Sequence, residues 1–312
     1  MPKTLLILNP NADVGHAWRR VADLRPLAEE LAPGELHWAG TVYPTHAGHL
    51  ARQAAEQGFE RVVAIGGDGT VHEVVNGLMQ APADQRPSLG VVPLGSGNDF
   101  AYGVGLPADP HAALRLALRG RPKAIDVFRV QDEHGRAEFV DNTLGIGFDA
   151  IVTIRAHQLP LLRGFPMYLT AVLQTITLDH HPPHFHLEID GQPLETDALM
   201  LVVGNGPREG GGFLTTPHAR PDDGVLDYLL MPAMSRLAML QLVPKVMNGS
   251  HVHHPAVQIG TLRTLHLSAD RPLQIHIDGE IFAGSDSHVR HLEIAIVPHA
   301  LQVAALPSDQ PA

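Results

Sequence analysis

The chain has no cysteine, only 5% aromatic residues and a shortage of positive charge. Without thiols, disulfide staples, thiolate nucleophiles and cysteine-ligated zinc are excluded. No apolar run approaches the roughly 20 residues that a membrane-spanning helix requires, so no transmembrane segment is expected, although short exposed apolar segments can still touch a membrane surface. The opening TLLILNP meets a polar turn at once and lacks the parts of a secretion signal, so it reads as a first strand and a cytoplasmic location is expected. The 22 Lys plus Arg stand against 33 Asp plus Glu, and the formal charge of −11 repels nucleic acid, which is not expected as a partner. Also missing are HExxH, a nucleophile elbow, the GxGxxG fingerprint and the GK[ST] ending of a Walker A loop.

What is there supports packed cores: 312 residues, 44% hydrophobic and 18% charged, enough for one large or two medium domains. Short apolar runs at Thr4 to Leu8, Leu36 to Val42, Arg61 to Ile65 and Leu89 to Leu94 read as strands. Between them, helical patterns run from His16 to Leu31, from Ala47 to about Gly58 and from near Thr70, with Asn76 and Gly77 read as shaping that helix's end. A further helix follows in DPHAALRLALRG. This alternation implies a mostly parallel three-layer unit, whose ligands meet the carboxyl ends of the strands. Near Lys123 the pattern changes to strand-like segments such as AIDVFRV, EFVDNTLGIGF, HFHLEI and DALMLVVGNG, with helices expected only around Met167 to Ile176 and Met234 to Val246.

Two glycine turns follow strands of the first part. In GGDGT, Gly66, Gly67 and Gly69 permit close backbone approach to an anion, Asp68 can coordinate magnesium and Thr70 can hydrogen-bond a phosphate. In GSGNDF, Gly95 and Gly97 serve similarly, Ser96 offers a hydroxyl, and Asn98 and Asp99 can organise the loop. Either turn alone is equally a helix entry; the pair in one strand-turn-helix context favours phosphate binding. Asn9 and Asn11 in NPNAD, and Thr45 in YPTHAGH, are placed to join that site or merely to make turns and caps. Glu73 can serve the helix dipole or orient another group, and His72 reads as an ordinary polar contact. His180, His181, His184, His186, His251, His253 and His254 are spaced too irregularly for a known zinc pattern.

Taken in order, NPNAD, IGGDGTVHEVVNGL, PLGSGNDFA, LGIGFDA, PDDGVLD and IDGE resemble the diacylglycerol kinase-like lipid kinases, in their bacterial branch related to sphingosine kinases, over nearly the whole chain. The implied fold class is α/β, an N-terminal Rossmann-like three-layer nucleotide-binding domain with a C-terminal β-sandwich domain. The implied boundaries are 1–125 for the ATP-binding domain and 126–295 for the lipid-binding domain, with a tail at 296–312 that can return to the first. The resemblance implies an ATP- and magnesium-dependent kinase for a lipid hydroxyl, diacylglycerol or a relative. It implies ATP near Asn9, Gly67, Asp68, Gly69, Thr70 and Ser96, catalytic magnesium at Asp68, and Glu280 of IDGE as the base for the acceptor hydroxyl. It also implies a second magnesium at Asp223 with the carbonyls of Arg220 and Val225. Relatives often carry an ATP-contacting threonine where Pro44 stands here, and Thr45 follows one residue later. Transient peripheral membrane association and a homodimer complete the expectation, with an NAD kinase and a non-catalytic nucleotide- or lipid-responsive regulator as the alternatives.

Overall fold

The structure, a computed structural model, describes residues 2–12, 17–34, 36–159, 162, 164–178 and 182–305. The readings at His16, His180, His181 and 306–312 lie outside the described residues. The chain forms two units, Met1–Asp126 with His299–Ala312, and Val127–Pro298.

The first unit runs β1 (Thr4–Leu8), α1 (Ala17–Leu31), β2 (Leu36–Gly40), α2 (His46–Glu56), β3 (Arg61–Gly66), α3 (Asp68–Met79), β4 (Ser88–Pro93), α4 (Asp99–Gly103) and α5 (Pro110–Arg119). β1 pairs in parallel with β2 and β3, and β3 with β4, giving the order β2-β1-β3-β4. The inner strands are buried along their length, as a sheet covered on both faces demands. On one face Val21, Leu24, Ala28 and Leu31 of α1, spaced three and four apart, pack with Leu114 and Leu118 of α5 against Leu6, Val63 and Ile65. Asp109 caps α5 by accepting from the Ala112 N–H at 2.8 Å, and the buried Arg61 guanidinium donates to the Ala117, Leu118 and Gly120 carbonyls at its other end. A Cβ on Gly77 would strike the Gly48 carbonyl, so α2 and α3 touch backbone to backbone. Gly77 therefore sits in the last turn of α3 where the helices pack closely, and its carbonyl also accepts the Gln80 N–H that closes the helix.

The second unit continues with β5 (Arg121–Asp132), β6 (Ala137–Val140), β7 (Thr143–Gly147), α6 (Phe148–His157), α7 (Gly164–Leu178), β8 (His184–Ile189), β9 (Gln192–Gly204), β10 (Leu226–Pro232), α8 (Arg236–Met247), β11 (Gln258–Leu262), β12 (Thr264–Ala269), β13 (Ile275–Ile277), β14 (Glu280–Ala283) and β15 (His291–Ala305). β9 serves both layers: Gln192 to Asp197 pair with β8, and Met200 to Gly204 with β7 and β10. One layer runs β9-β8-β12-β15 and the other is built from β14, β13, β7, β9, β10 and β11. Phe128, Ile146, Phe185, Leu187, Leu201, Leu265, Ile275 and Leu292 fill the core of this sandwich. α6, α7 and α8 bring Val152, Ala156, Val172, Ile176, Met239 and Leu242 against Leu199, Met200 and Leu229. The expected fold class holds, with one omission. α6 follows LGIGF in a stretch given no element from the sequence, its β-branched Ile151, Val152, Thr153 and Ile154 being weak helix formers.

β15 changes allegiance near its end. Its early residues pair with β12, whereas Val303 pairs in parallel with Leu89 of β4 in the first unit. His299 has φ 52, and the fully buried Asp126 carboxylate accepts its N–H at 2.7 Å.

Candidate functional site

β3 and β4 are parallel neighbours, so the turns after them leave the same edge of the sheet. A Cβ on Gly95 would lie 2.5 Å from the Gly67 Cα, and one on Gly67 3.0 Å from the Gly95 Cα. The two loops therefore meet through bare backbone; a side chain at Gly95 would force the backbone apart, and one at Gly67 would be tight. Gly97 lies over two carboxylates: its Cβ would stand 2.8 Å from Asp68 Oδ2 and 3.0 Å from Asp99 Oδ2. A Cβ on Gly66 would collide with the Thr70 side chain. Asn98, at φ 53, closes its loop on Gly95, with Oδ1 accepting from the Gly95 N–H and Nδ2 donating to the Gly95 carbonyl, both at 2.9 Å.

Asn9 at the end of β1 donates through Nδ2 to Thr70 Oγ1 at 3.1 Å, and its Oδ1 accepts from the Asn11 N–H at 3.0 Å. Gly66, Gly67, Asp68, Gly69, Thr70, Asn9, Gly95, Gly97 and Asn98 thus form one surface around the start of α3, with Ser96 exposed at the tip of the second loop and Asn11 exposed beside Asn9. The positive end of the α3 dipole favours an anion there. Asp68 begins the helix, and its Oδ1 accepts from the Phe100 N–H at 3.2 Å. Its pKa is pushed up to about 7, first by burial and then by the Asp99 charge, against the pull of backbone N–H groups. Two facing carboxylates resist joint ionisation, and a cation relieves them. Asp99, read from the sequence as organising the loop or the acceptor hydroxyl or as a helix cap, is the other half of this pair. The available signal was an aspartate beside the glycine turn after each of two adjacent strands.

Glu73 turns its carboxylate away from these loops. Oε1 accepts from the Thr45 N–H at 2.7 Å and Oε2 from the Ala47 N–H at 3.0 Å, so a side chain of α3 caps α2. Thr45, the N-cap of α2, is held at φ 71, a costly conformation for a β-branched residue, and makes no side-chain cap bond.

The remaining expected residues belong to the second unit. In IDGE, Asp278 (φ 51) and Gly279 (φ 84) form the two-residue turn between β13 and β14, and the exposed Glu280 is the first residue beyond it. The Asp278 carboxylate is buried and accepts from the N–H groups of Asp141, Asn142 and Thr143 at 3.2, 3.0 and 2.9 Å. β13 is held further by His276, whose Nε2 donates to Asp149 Oδ2 at 2.7 Å at the start of α6. A Cβ on Gly145 would collide with both partners of that bond. In PDDGVLD, Asp223 Oδ1 accepts from the Val225 N–H at 3.2 Å, and the Arg220 guanidinium lies 3.8 Å from Asp222. The neighbouring Asp227 is pushed up to about 6, first by burial and then by the Asp223 charge. Asp227 had not been singled out from the sequence, although it closes the same motif.

Residues 3–130 match the diacylglycerol kinase catalytic domain, and residues 142–305 the YegS C-terminal NAD kinase beta sandwich-like domain. A protein of Yersinia pestis (strain Pestoides F) described as "Probable lipid kinase YegS-like" is 34% identical over 319 aligned positions, covering 99% of this chain and 98% of the relative. A protein of Yersinia pseudotuberculosis serotype O:1b with the same description matches to the same extent. The crystal structure of a diacylglycerol kinase from Bacillus anthracis str. Sterne shares the fold, with a TM-score of 0.78, 24% identity and 98% of each chain covered.

Proposed function

The chain belongs to the family of diacylglycerol kinase-type, YegS-like lipid kinases, and on that premise we propose that it transfers the γ-phosphoryl group of ATP to the hydroxyl of a lipid, diacylglycerol or a close relative. The reading rests most on the backbone contact of Gly67 with Gly95 beside the Asp68 and Asp99 carboxylates. That arrangement offers N–H groups to phosphate oxygens and a pair of acids to their counter-ion.

Asp68 and Asp99 fit a magnesium ion, because burial and, after it, the neighbouring Asp99 charge already make the ionised Asp68 carboxylate costly without a cation. When bound, magnesium offsets charge on the phosphate oxygens and holds them in line for transfer. The two glycine loops and the start of α3 would receive the phosphates, with Ser96 reaching them from the loop tip. Asn9 fixes the rotamer of Thr70, whose hydroxyl faces the same ligand. Thr45 supplies the nucleotide contact that Pro44 cannot make, and Glu73 acts on ATP through its grip on the Thr45 amide. Asn11 orders the turn that presents Asn9. Glu280 accepts the proton of the lipid hydroxyl as its oxygen attacks. Asp223, with the Arg220 and Val225 carbonyls, would hold a second magnesium ion, and a cation there would relieve the neighbouring Asp227, which burial and then the Asp223 charge push up. Residues 1–125 then carry the donor and 126–295 the acceptor.

No helix among the described residues is long and apolar enough to cross a membrane; a lipid acceptor would be met by transient association with the membrane surface. The test is transfer of label from γ-labelled ATP, with magnesium, into a native lipid extract and in parallel into NAD, with the product identified by mass. Labelled lipid is expected. Labelling of NAD alone, or no lipid product despite ATP binding, would overturn the assignment.

A further inference from the structure

The outer face of the β9-β8-β12-β15 layer carries a second group of ligand-type side chains, remote in chemistry from phosphoryl transfer. Alternation along β8 sends Phe185 and Leu187 into the core and turns His184 and His186 outward, two residues apart on one face. Register places His184 opposite Asp197 and His186 opposite Glu195 on β9. His184 Nδ1 lies 2.7 Å from Asp197 Oδ1, and His186 Nδ1 lies 3.2 Å from Glu195 Oε1. The imidazole rings stand edge to face with centroids 4.9 Å apart. One ligand atom from each of His184, His186 and Glu195 lies within 4.8 Å of the other two.

We propose that His184, His186 and Glu195 form a surface site for a divalent transition-metal ion of the zinc, nickel or copper class. Two imidazoles and one carboxylate suit such ions better than magnesium or calcium, which prefer oxygen ligands throughout. The strand positions are fixed, because β8 is hydrogen-bonded on both sides, to β9 and to β12. Only exposed side-chain torsions need to move for the three atoms to close on one ion. Asp197 on the His184 ring supplies the carboxylate–histidine contact that orients a ligating imidazole and raises its basicity. Glu188 on the same face of β8 and Asp270, which accepts the His184 N–H at 3.0 Å, add negative charge nearby. The irregular spacing of the histidines hid this group, since the third ligand lies across a strand pairing and not along a sequence motif.

The experiment is zinc titration by calorimetry, with metal analysis after dialysis, on the full chain without a histidine tag. Wild type is expected to retain about one equivalent of zinc. His184→Ala and His186→Ala should each bind it at least about tenfold more weakly, and Glu195→Gln a few-fold to about tenfold. His266→Ala, on the same face but outside the group, should bind as wild type does. Zinc should raise the melting temperature of wild type but not of the H184A/H186A double variant, which also establishes that the variant is folded. No saturable binding by wild type, unchanged affinity in both histidine variants, or equal weakening in H266A would overturn the proposal.

Discussion

The second unit contains the same three residues twice in the same local form. Ile189-Asp190-Gly191 joins β8 to β9 and Ile277-Asp278-Gly279 joins β13 to β14, each with positive φ at aspartate and glycine. In both, the aspartate reaches out of its own hairpin: Asp190 accepts from Arg263 and Thr264, Asp278 from residues 141–143. The turns differ in burial and in the residue just beyond the glycine. Asp190 is exposed and its turn leads to Gln192, whereas Asp278 is buried and its turn leads to Glu280. An Ile-Asp-Gly turn is therefore a way of fastening a hairpin to a neighbour, and it carries no chemistry by itself. The role proposed for Glu280 draws on the buried anchorage of its hairpin and on the resemblance of IDGE to the family's motif.

The largest effect should come from making the second turn read like the first. Glu280→Gln converts IDGE into IDGQ and is expected to lower lipid phosphorylation by on the order of 100-fold or more. Its melting curve should overlay that of wild type, because the side chain is exposed. Retention of most activity would remove Glu280 as the base.

Next come the anchors. Asp278→Ala strands buried N–H groups and should cost about 3 kcal/mol in denaturant unfolding, while Asp190→Ala should cost under ~1 kcal/mol. Equal costs would erase the distinction in burial on which the comparison rests.

Smaller, and opposite in sign, are two titrations. Asp68 is raised in the fold from 3.8 to about 7, so its favourable contribution is complete below about 3.8 and lost as pH climbs through 7. Asp68→Asn, without magnesium, should therefore be more stable than wild type at pH ~8 by on the order of 1 kcal/mol, a few degrees in melting temperature. That advantage should vanish near pH ~4. Asp190 is held below 3.8 by its backbone donors and Arg263, against its slight burial, so its contribution is present at neutral pH and lost in acid. Asp190→Asn should melt slightly below wild type at pH ~7 and converge with it in acid. The smallest effect belongs to Gln192→Glu, which writes IDGE into the first turn and should change neither kinetics nor melting.

Much of this was legible in the sequence because it rests on short-range rules. Buried parallel strands are continuous apolar runs, and glycine pairs mark the turns after them. Asn9 could be named as a candidate, but its partner Thr70 lies 61 residues away, and only the pairing of β1 with β3 joins them. Glu73 illustrates the limit: nothing in VHEVV indicates that its carboxylate caps another helix 26 and 28 residues earlier. Gly77 and Gly48 likewise acquire meaning only when two helices are laid together. α6 escaped because local propensity and tertiary packing disagree over its β-branched run, and packing prevailed.

The divided loyalty of β15 bears on how the protein is made. The second unit ends at Pro298, while the first still waits for His299 onward and for the strand that lies beside β4. Pro298 and Val303 are neighbours on one strand, so the earlier unit cannot finish before the later one has been made, and the usual N-to-C order of domain folding does not apply. Until the last residues emerge, the hydrogen-bonding edge of β4 stays bare in the nascent chain, a place for chaperones to bind and for aggregation to start.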